Sequence, residues 1–160
     1  MNTCSFCVLT DGDRHLLLFE NDFWSVYLAD KQDYVGRCII VCRIHREALS
    51  ELAIDEWISL KSVIDSLEAL LKCELGATAF NWRCLMNDAD KVTSPRPHVH
   101  FHVRPRYAAP VCIDGAFYAD EEFAHHYNNH AADQLDDAAK IQLFTMLKAK
   151  IDDYFVHNSG

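Results

Sequence analysis

The stretch PHVHFHVRPRY, residues 97–107, places histidines at 98, 100 and 102. Three of the chain's nine histidines thus fall within five residues, with Val99 and Phe101 between them. On a β-strand successive side chains point to opposite faces, so His98, His100 and His102 share one face. Val99, Phe101 and Val103 then pack into the core behind them. Same-face neighbours on a strand are about 6.5–7 Å apart, too far for three of them to ligate one metal without bending. They can line a groove instead. Pro97 and Pro105 are expected to mark the strand ends, because proline supplies no ladder donor.

Two chemistries use such a pattern. Metal-dependent hydrolysis in its H-x-H-x-D-H form needs Asp where His102 stands and His where Val103 stands, so the sequence does not fit it. The other is covalent catalysis. A neutral imidazole nitrogen attacks phosphorus while the second nitrogen is oriented by a hydrogen bond, and a neighbouring histidine holds oxygens or passes a proton. A second feature with chemistry is Cys4-Ser5-Phe6-Cys7. A C-x-x-C pair is half of a tetrahedral thiolate site, a set that favours zinc, and two histidines would complete it.

The elements that must carry these residues are legible in the pattern. HLLLFE (15–20) and FWSVYLA (23–29) read as two strands joined by a tight turn at Glu20–Asp22. RCIIVCR (37–43) is a third, nearly all apolar and therefore central. Over residues 54–74 the period changes: Trp57, Leu60, Ile64, Leu67 and Leu71 form one face of an amphipathic helix, with Gly76 placed to end it. ATAFNWRCLMN (77–87) returns to period two, with Phe80, Trp82, Cys84 and Met86 on one face and Asn81, Arg83, Leu85 and Asn87 on the other. After a polar loop, 88–96, comes the histidine strand. Residues 108–132 read as irregular, and a last helix runs from about Gln134 to Phe155 with Ala138, Ile141, Phe144, Leu147 and Ile151 on one face. The fold class is α+β: a five-stranded, mainly antiparallel sheet, a long helix between its third and fourth strands, and a C-terminal helix. The 160 residues are expected to form one domain, with a core over 4–107 and a C-terminal extension over 108–160.

Composition narrows the partners. Lys and Arg number 15 against 24 Asp and Glu, a net charge of −9, which argues against broad nucleic-acid binding. Residues 91–106 run against that trend, with Lys91, Arg96, Arg104 and Arg106 and no acid. A local positive field there would favour a small anionic ligand. The longest apolar runs, Leu16–Phe19 and Cys38–Cys42, are far too short to span a bilayer. The opening MNTCSFCVLT has no basic region followed by an apolar stretch, so a cytoplasmic location is expected. Seven cysteines argue against a disulfide framework, and Cys38, Cys42, Cys73 and Cys84 read as buried free thiols.

The motif His98-Val99-His100-Phe101-His102-Val103-Arg104 resembles the signature of the histidine-triad (HIT) family, three histidines alternating with apolar residues and ending in two apolar positions. Arg104 departs at the last position. The continuation PRY resembles bacterial hydrolases of diadenosine polyphosphates within that family. CSFC resembles a common family opening, and FENDFWSVYLADKQDYVGRCIIVCRIH resembles its three-strand segment, which ends in an upstream histidine, here His45. The helix and CLMN also fit, so the resemblance covers residues 4–107.

The resemblance implies a nucleotide hydrolase acting on dinucleoside polyphosphates or related phosphoanhydrides and phosphoramidates. His100 inherits the nucleophile's role, with His98 and His102 beside it. Asn87, eleven residues before His98, matches a family asparagine beside the site. Ser94, with Thr93 and Arg96, stands where phosphate-binding residues lie, and Arg106 is a further substrate candidate. Ala29, with Asp30 next to it, occupies the position of the ribose contact. In zinc-bearing members the ligands correspond to Cys4, Cys7, His45 and His98, which implies one structural zinc per chain. A homodimer with two joined sheets is also implied. The alternatives are a nucleotidyltransferase of the same superfamily and a catalytically weak nucleotide-binding regulatory protein.

Overall fold

A computed structural model describes residues 4–9, 14–86, 96–126 and 132–155. Among them a sheet forms from β1 (Leu17–Glu20), β2 (Trp24–Leu28), β3 (Cys38–Cys42), β4 (Ala79–Cys84) and β5 (His100–Arg106). The strands lie in the order β1-β2-β3-β5-β4 and every pairing is antiparallel. Helix α1 (Ile54–Leu75) connects β3 to β4, and α2 (Asp137–Phe155) follows a small hairpin of β6 (Val111–Ile113) and β7 (Ala116–Tyr118). The α+β reading and the five-stranded sheet are therefore borne out.

The core lies on the helical face of the sheet. Trp24, Val26 and Leu28 of β2, Cys38, Ile40 and Cys42 of β3, and Val99 and Val103 meet Leu60, Val63, Leu67 and Leu70 of α1 and Leu143, Leu147 and Ile151 of α2. Leu60, Leu67 and Leu71 of α1 and Leu147 and Ile151 of α2 are buried as the spacing predicts, but other members of the expected faces are not. Trp57 is 40% exposed and Ile141 62% exposed, because the buried stripes run through Val63, Leu67 and Leu70 and through Leu143 and Leu147. Ala138 is likewise exposed, and so is Cys73, on the outer side of α1. Apolar residues at helical spacing fit two adjacent stripes, and the tighter fit to the sheet decides between them.

Both ends of α1 have local causes. Ala53 has no side-chain acceptor, so only the reciprocal half of a capping box forms: the Ala53 N–H donates to the Glu56 carboxylate at 2.6 Å. That carboxylate is 1% exposed and also accepts from Arg46 Nε at 3.2 Å. At the other end Gly76 adopts φ 73°, in the left-handed region, and the N–H groups of Gly76 and Ala77 close onto the carbonyls of Lys72 and Leu71.

Pro105 does not end β5, which runs on to Arg106. The Thr78 N–H donates to the Arg106 carbonyl at 2.8 Å, so even-numbered residues of β5 bond towards β4 and odd-numbered ones towards β3. Pairing with β3 has already stopped at Val103. The N–H that proline lacks would have met no partner strand there.

The segment expected to be irregular contains the β6–β7 hairpin, turned by Asp114 and Gly115 at positive φ. Its residues are clamped to the sheet. Arg106 is bound to Asp120, Tyr34 to Glu122, and the Tyr107 N–H to Asp120. Leu67 is fully buried between sheet and helices. Leu67→Ala is expected to cost about 2–5 kcal/mol, read as a lower denaturant midpoint in equilibrium unfolding.

Candidate active site and metal centre

The face of the sheet opposite the helices carries the histidines. β5 pairs with β3 so that His100 lies opposite Val41 and His102 opposite Ile39. His98 lies just before the strand and is 4% exposed; His100 is 3% exposed. The turn Ser5–Cys7 covers them, and the Phe6 ring sits 4.9 Å from that of His100 and 5.4 Å from that of His98. The His100 and His102 rings meet edge to face at 5.0 Å.

Backbone carbonyls fix two tautomers. A carbonyl only accepts, so the 2.7 Å contact of His100 Nδ1 with the His98 carbonyl requires the proton on Nδ1. In the neutral ring the lone pair is then on His100 Nε2. His98 Nε2 donates to the Cys42 carbonyl at 2.6 Å, which leaves His98 Nδ1 with its lone pair. Burial lowers the His98 pKa, favouring this neutral form.

His98 Nδ1 faces Cys4 Sγ at 3.2 Å, Cys7 Sγ at 3.6 Å and His45 Nδ1 at 3.2 Å. His45 Nε2 contacts Glu47 Oε1 at 3.2 Å, which puts the His45 proton on Nε2 and aims the lone pair of Nδ1 at His98. Two imidazole lone pairs thus face each other beside two thiols. The four donor atoms lie within 4.8 Å of one another. Zinc bonds of about 2.3 Å to sulfur and about 2.0 Å to nitrogen are compatible with such a spread once the thiols ionise. A cation relieves the lone-pair repulsion and lowers the thiol pKa values. Without a cation, burial and the neighbouring Cys4 push Cys7 up to about 11. The donor set and its spacing fit a closed tetrahedral site.

An apolar slot of about 170 Å³ adjoins the triad, lined by Phe6, Leu16, Tyr27, Ala29, Ile39 and Val41 among others. It borders a polar cavity of about 230 Å³ holding Arg14, Glu20, Ser25 and Arg43. A larger cavity of about 530 Å³ lies between Asp33–Tyr34 and the C-terminal extension. Its Asp120, Glu121, Glu122 and Asp133 make it the poorer match for a phosphate.

The basic island does not act as one. Arg104 is buried against Asp33 at 3.1 Å, Arg106 against Asp120 at 2.6 Å, and Arg96 is bound to Glu47. Arg106, a substrate candidate by sequence, lies on the triad face of β5, but its guanidinium is held by Asp120 and by the carbonyls of Glu122 and His125. Asn87, Thr93, Ser94 and Lys91 fall outside the described residues. The cation the register does bring to the triad is half-buried Arg83 of β4, opposite His102. Its alternation with Trp82 was the available signal. Phe6 and Glu47 carried no signal of their own in the sequence.

No protein-family profile matches the chain. An uncharacterized HIT-like protein of Methanocaldococcus jannaschii is 29% identical over 107 residues, 65% of this chain and 79% of that protein. Many solved structures share the fold, among them three with TM-scores between 0.58 and 0.66. A uridylyltransferase superposes with a TM-score of 0.66 at 18% identity, over 94% of this chain and 46% of that one. A zinc-bound histidine triad family protein from Mycobacterium smegmatis gives 0.58 at 16% identity, over 94% and 96%. The Plasmodium falciparum diadenosine triphosphate hydrolase gives 0.58 at 13% identity, over 89% and 80%. The sheet, the two helices and the alternating histidines give the chain a fold like that of the histidine-triad proteins. The archaeal relative, itself described as HIT-like, agrees with that likeness.

Glu20 at the polar end of the site gives a pH test. Burial alone would raise its carboxyl, but hydrogen bonds from Ser25 Oγ and Arg14 outweigh burial and hold it below the ordinary carboxylate range. A carboxyl depressed in the fold stabilises it above the unfolded pKa, and that contribution is lost as pH falls through the folded value. Glu20→Gln is expected to lower stability near neutrality and to flatten its decline on the acid side, as checked by urea unfolding across a pH series.

Proposed function

We propose that the protein is a nucleotide hydrolase that cleaves dinucleoside polyphosphates, or related phosphoanhydrides and phosphoramidates, through a nucleotidyl-histidine on His100. The observation that carries this reading is the 2.7 Å bond from His100 Nδ1 to the His98 carbonyl, which in the neutral ring leaves the Nε2 lone pair for attack. Nε2 attacks the α-phosphorus, the P–O bond to the leaving phosphate breaks, and His102 supplies the proton that the leaving oxygen takes. Water then attacks the same phosphorus. The P–N bond breaks, the proton of the water returns to His102, and the nucleotide leaves. The apolar slot beside Val41 and Ile39 suits a nucleobase, with Phe6 over its triad end. The diadenosine triphosphate hydrolase with the same fold supports the class of substrate.

The second reading is nucleotidyl transfer, favoured by the fold shared with a uridylyltransferase. His102 as the third histidine and Val99 within the motif favour water as the acceptor, because relatives that transfer nucleotides usually carry Gln and a proline there. A third reading is a nucleotide-binding regulatory protein with negligible turnover.

We further propose one structural zinc per chain, held by Cys4, Cys7, His45 and His98. When bound, it pins the N-terminal turn and the end of β3 to the residues leading into β5. Four protein ligands leave no position open for substrate. The zinc-bound relative from Mycobacterium smegmatis supports this assignment. The proposed partner is a second copy of the chain. Lys148 of α2 donates to the Leu18 carbonyl of β1, so β4 is the edge that another sheet can extend. No helix of the described residues is long and apolar enough to cross a membrane. The cytoplasm is the proposed location.

Rapid quenching with a labelled diadenosine polyphosphate is expected to trap label on the wild-type protein and none on His100→Ala. Turnover should fall by up to on the order of a million-fold for His100→Ala. For His102→Ala a loss of about a hundred- to ten-thousand-fold is expected. Near-normal turnover in His100→Ala would refute the covalent route. Label transferred to an added sugar phosphate faster than to water would favour the transferase.

Metal analysis should find about one zinc per chain, and the pair Cys4→Ser with Cys7→Ser should lose it together with thermal stability. Full metal content in that double variant would reject the site. Sedimentation at micromolar concentration should give a dimer.

A further inference from the structure

We propose that Glu47, clamped by Arg96, is the positioning residue of the metal centre, and that it holds His45 in the one tautomer and orientation that can ligate. This inference rests on the zinc reading and extends it to two residues outside the ligand set.

The geometry begins with the imidazole of His45. Its Nδ1 points into the cluster, 3.3 Å from Cys7 Sγ and 3.2 Å from His98 Nδ1. Its Nε2 meets Glu47 Oε1 at 3.2 Å. An ionised carboxylate only accepts, so the proton sits on Nε2 and the lone pair on Nδ1. Glu47 Oε1 is itself fixed: Arg96 Nε donates to it at 2.8 Å, and Arg96 Nη2 donates to the same oxygen. Glu47 lies two residues after His45, and Arg96 two residues before His98. The pair therefore ties together the flanks of two ligands. A backbone bond from the Val99 N–H to the Arg46 carbonyl, 2.8 Å long, ties the same flanks from the other side. The Glu47 N–H is held in turn by the Glu51 carboxylate at 2.8 Å.

His98 needs no such helper, because the Cys42 carbonyl fixes its ring. For His45 the acceptor at Nε2 is the Glu47 carboxylate, which takes the place that a carbonyl holds for His98. As a surface ion pair alone, Glu47–Arg96 would contribute little: the side chains are 42% and 46% exposed. Its value lies in the ring that it aims. A carboxylate on the far nitrogen fixes the orientation of a metal-bound imidazole and raises its basicity, and losing such a partner typically costs about 10–100-fold in metal affinity. Charge is consistent with this division. Two thiolates balance a divalent cation, and Arg96 balances Glu47. Arg96, a phosphate candidate by sequence position, is thereby assigned to the metal centre.

The test measures zinc affinity by competition with a chromophoric chelator, on the full chain stripped and reloaded, alongside melting of the metal-free and metal-loaded forms. Glu47→Ala is expected to weaken zinc by about 10–100-fold. It should leave metal-free melting unchanged, because the side chain is exposed and its backbone bonds remain. Glu47→Gln, which keeps an acceptor oxygen but no charge, should fall between parent and Glu47→Ala. Arg96→Ala should weaken zinc by a smaller factor, more at low salt than at high salt. Cobalt substituted into Glu47→Ala should show an altered visible spectrum. If the parent binds one zinc and Glu47→Ala binds it within about twofold, the positioning role is wrong while the metal centre stands. If metal-free melting falls as far as metal-loaded melting, Glu47 is merely structural and the proposal fails. If the parent binds no zinc that Cys4→Ser with Cys7→Ser abolishes, the metal reading fails and takes this one with it.

Discussion

A single hydrogen bond, from His98 Nε2 to the carbonyl of Cys42 at 2.6 Å, joins the histidine strand to the candidate metal cluster. It anchors the residue that opens the triad to the end of β3. Because the carbonyl takes the Nε2 proton, His98 Nδ1 must face Cys4, Cys7 and His45. The His98 carbonyl accepts from His100 Nδ1, so one residue places a ring in the candidate metal cluster and sets the Nδ1 proton of its neighbour in the triad. The surrounding register supports this. The Cys42 N–H donates to the Val99 carbonyl at 3.1 Å, and β3 then pairs residue by residue with His100, Phe101, His102 and Val103. A slip of one residue would turn the histidines into the core and Val99 and Phe101 out of it.

How much of this was legible follows from how local each signal is. Alternation over residues 98–103 is a period-two pattern, and it placed the three histidines on one face with Val99 and Val103 buried behind them. Gly76 ended α1 because a helix terminus needs a residue that tolerates positive φ. The four donors at 4, 7, 45 and 98 came from resemblance, since separations of up to 94 residues have no local signature. Helix faces were less legible. Trp57 and Ile141 share the spacing of the buried stripes, and only contact with the sheet excludes them from the core. The β6–β7 hairpin was missed because its strands are three residues each, too short to show a period.

Charge was the least legible feature. Four cations without an acid between residues 91 and 106 read as an anion-attracting island. In three dimensions the acids arrive from elsewhere in the chain: Asp33 to Arg104, Asp120 to Arg106, Glu47 to Arg96. Opposite charges in contact cancel within a few ångströms, so summing along the sequence overstates the field. Two of these pairs fix the extremity of β5. Arg104 and Arg106 also flank the ring of Tyr34, their guanidiniums 6.0 and 5.1 Å from its centroid. Arg104, the departure from the triad signature, is thereby accounted for. An ion pair with buried Asp33 replaces an apolar contact at the end of the strand.

The neutralised island bears on how the proposed site would handle phosphate. A phosphorus centre that is attacked by imidazole carries its charge on non-bridging oxygens, and a site for it needs donors that do not depend on net positive charge. Here β5 places His100 and His102 side by side, with rings 5.0 Å apart, and the register sets Arg83 across from His102. Burial of His100 beneath Phe6 excludes water from one side of the ring, which strengthens each remaining polar contact. The arrangement relies on a few oriented dipoles in a half-dry cleft rather than on a broad basic surface. That is how a chain with a net charge of −9 would hold the proposed phosphate site, built on β5, where backbone bonds to β3 and β4 fix the strand that carries the rings.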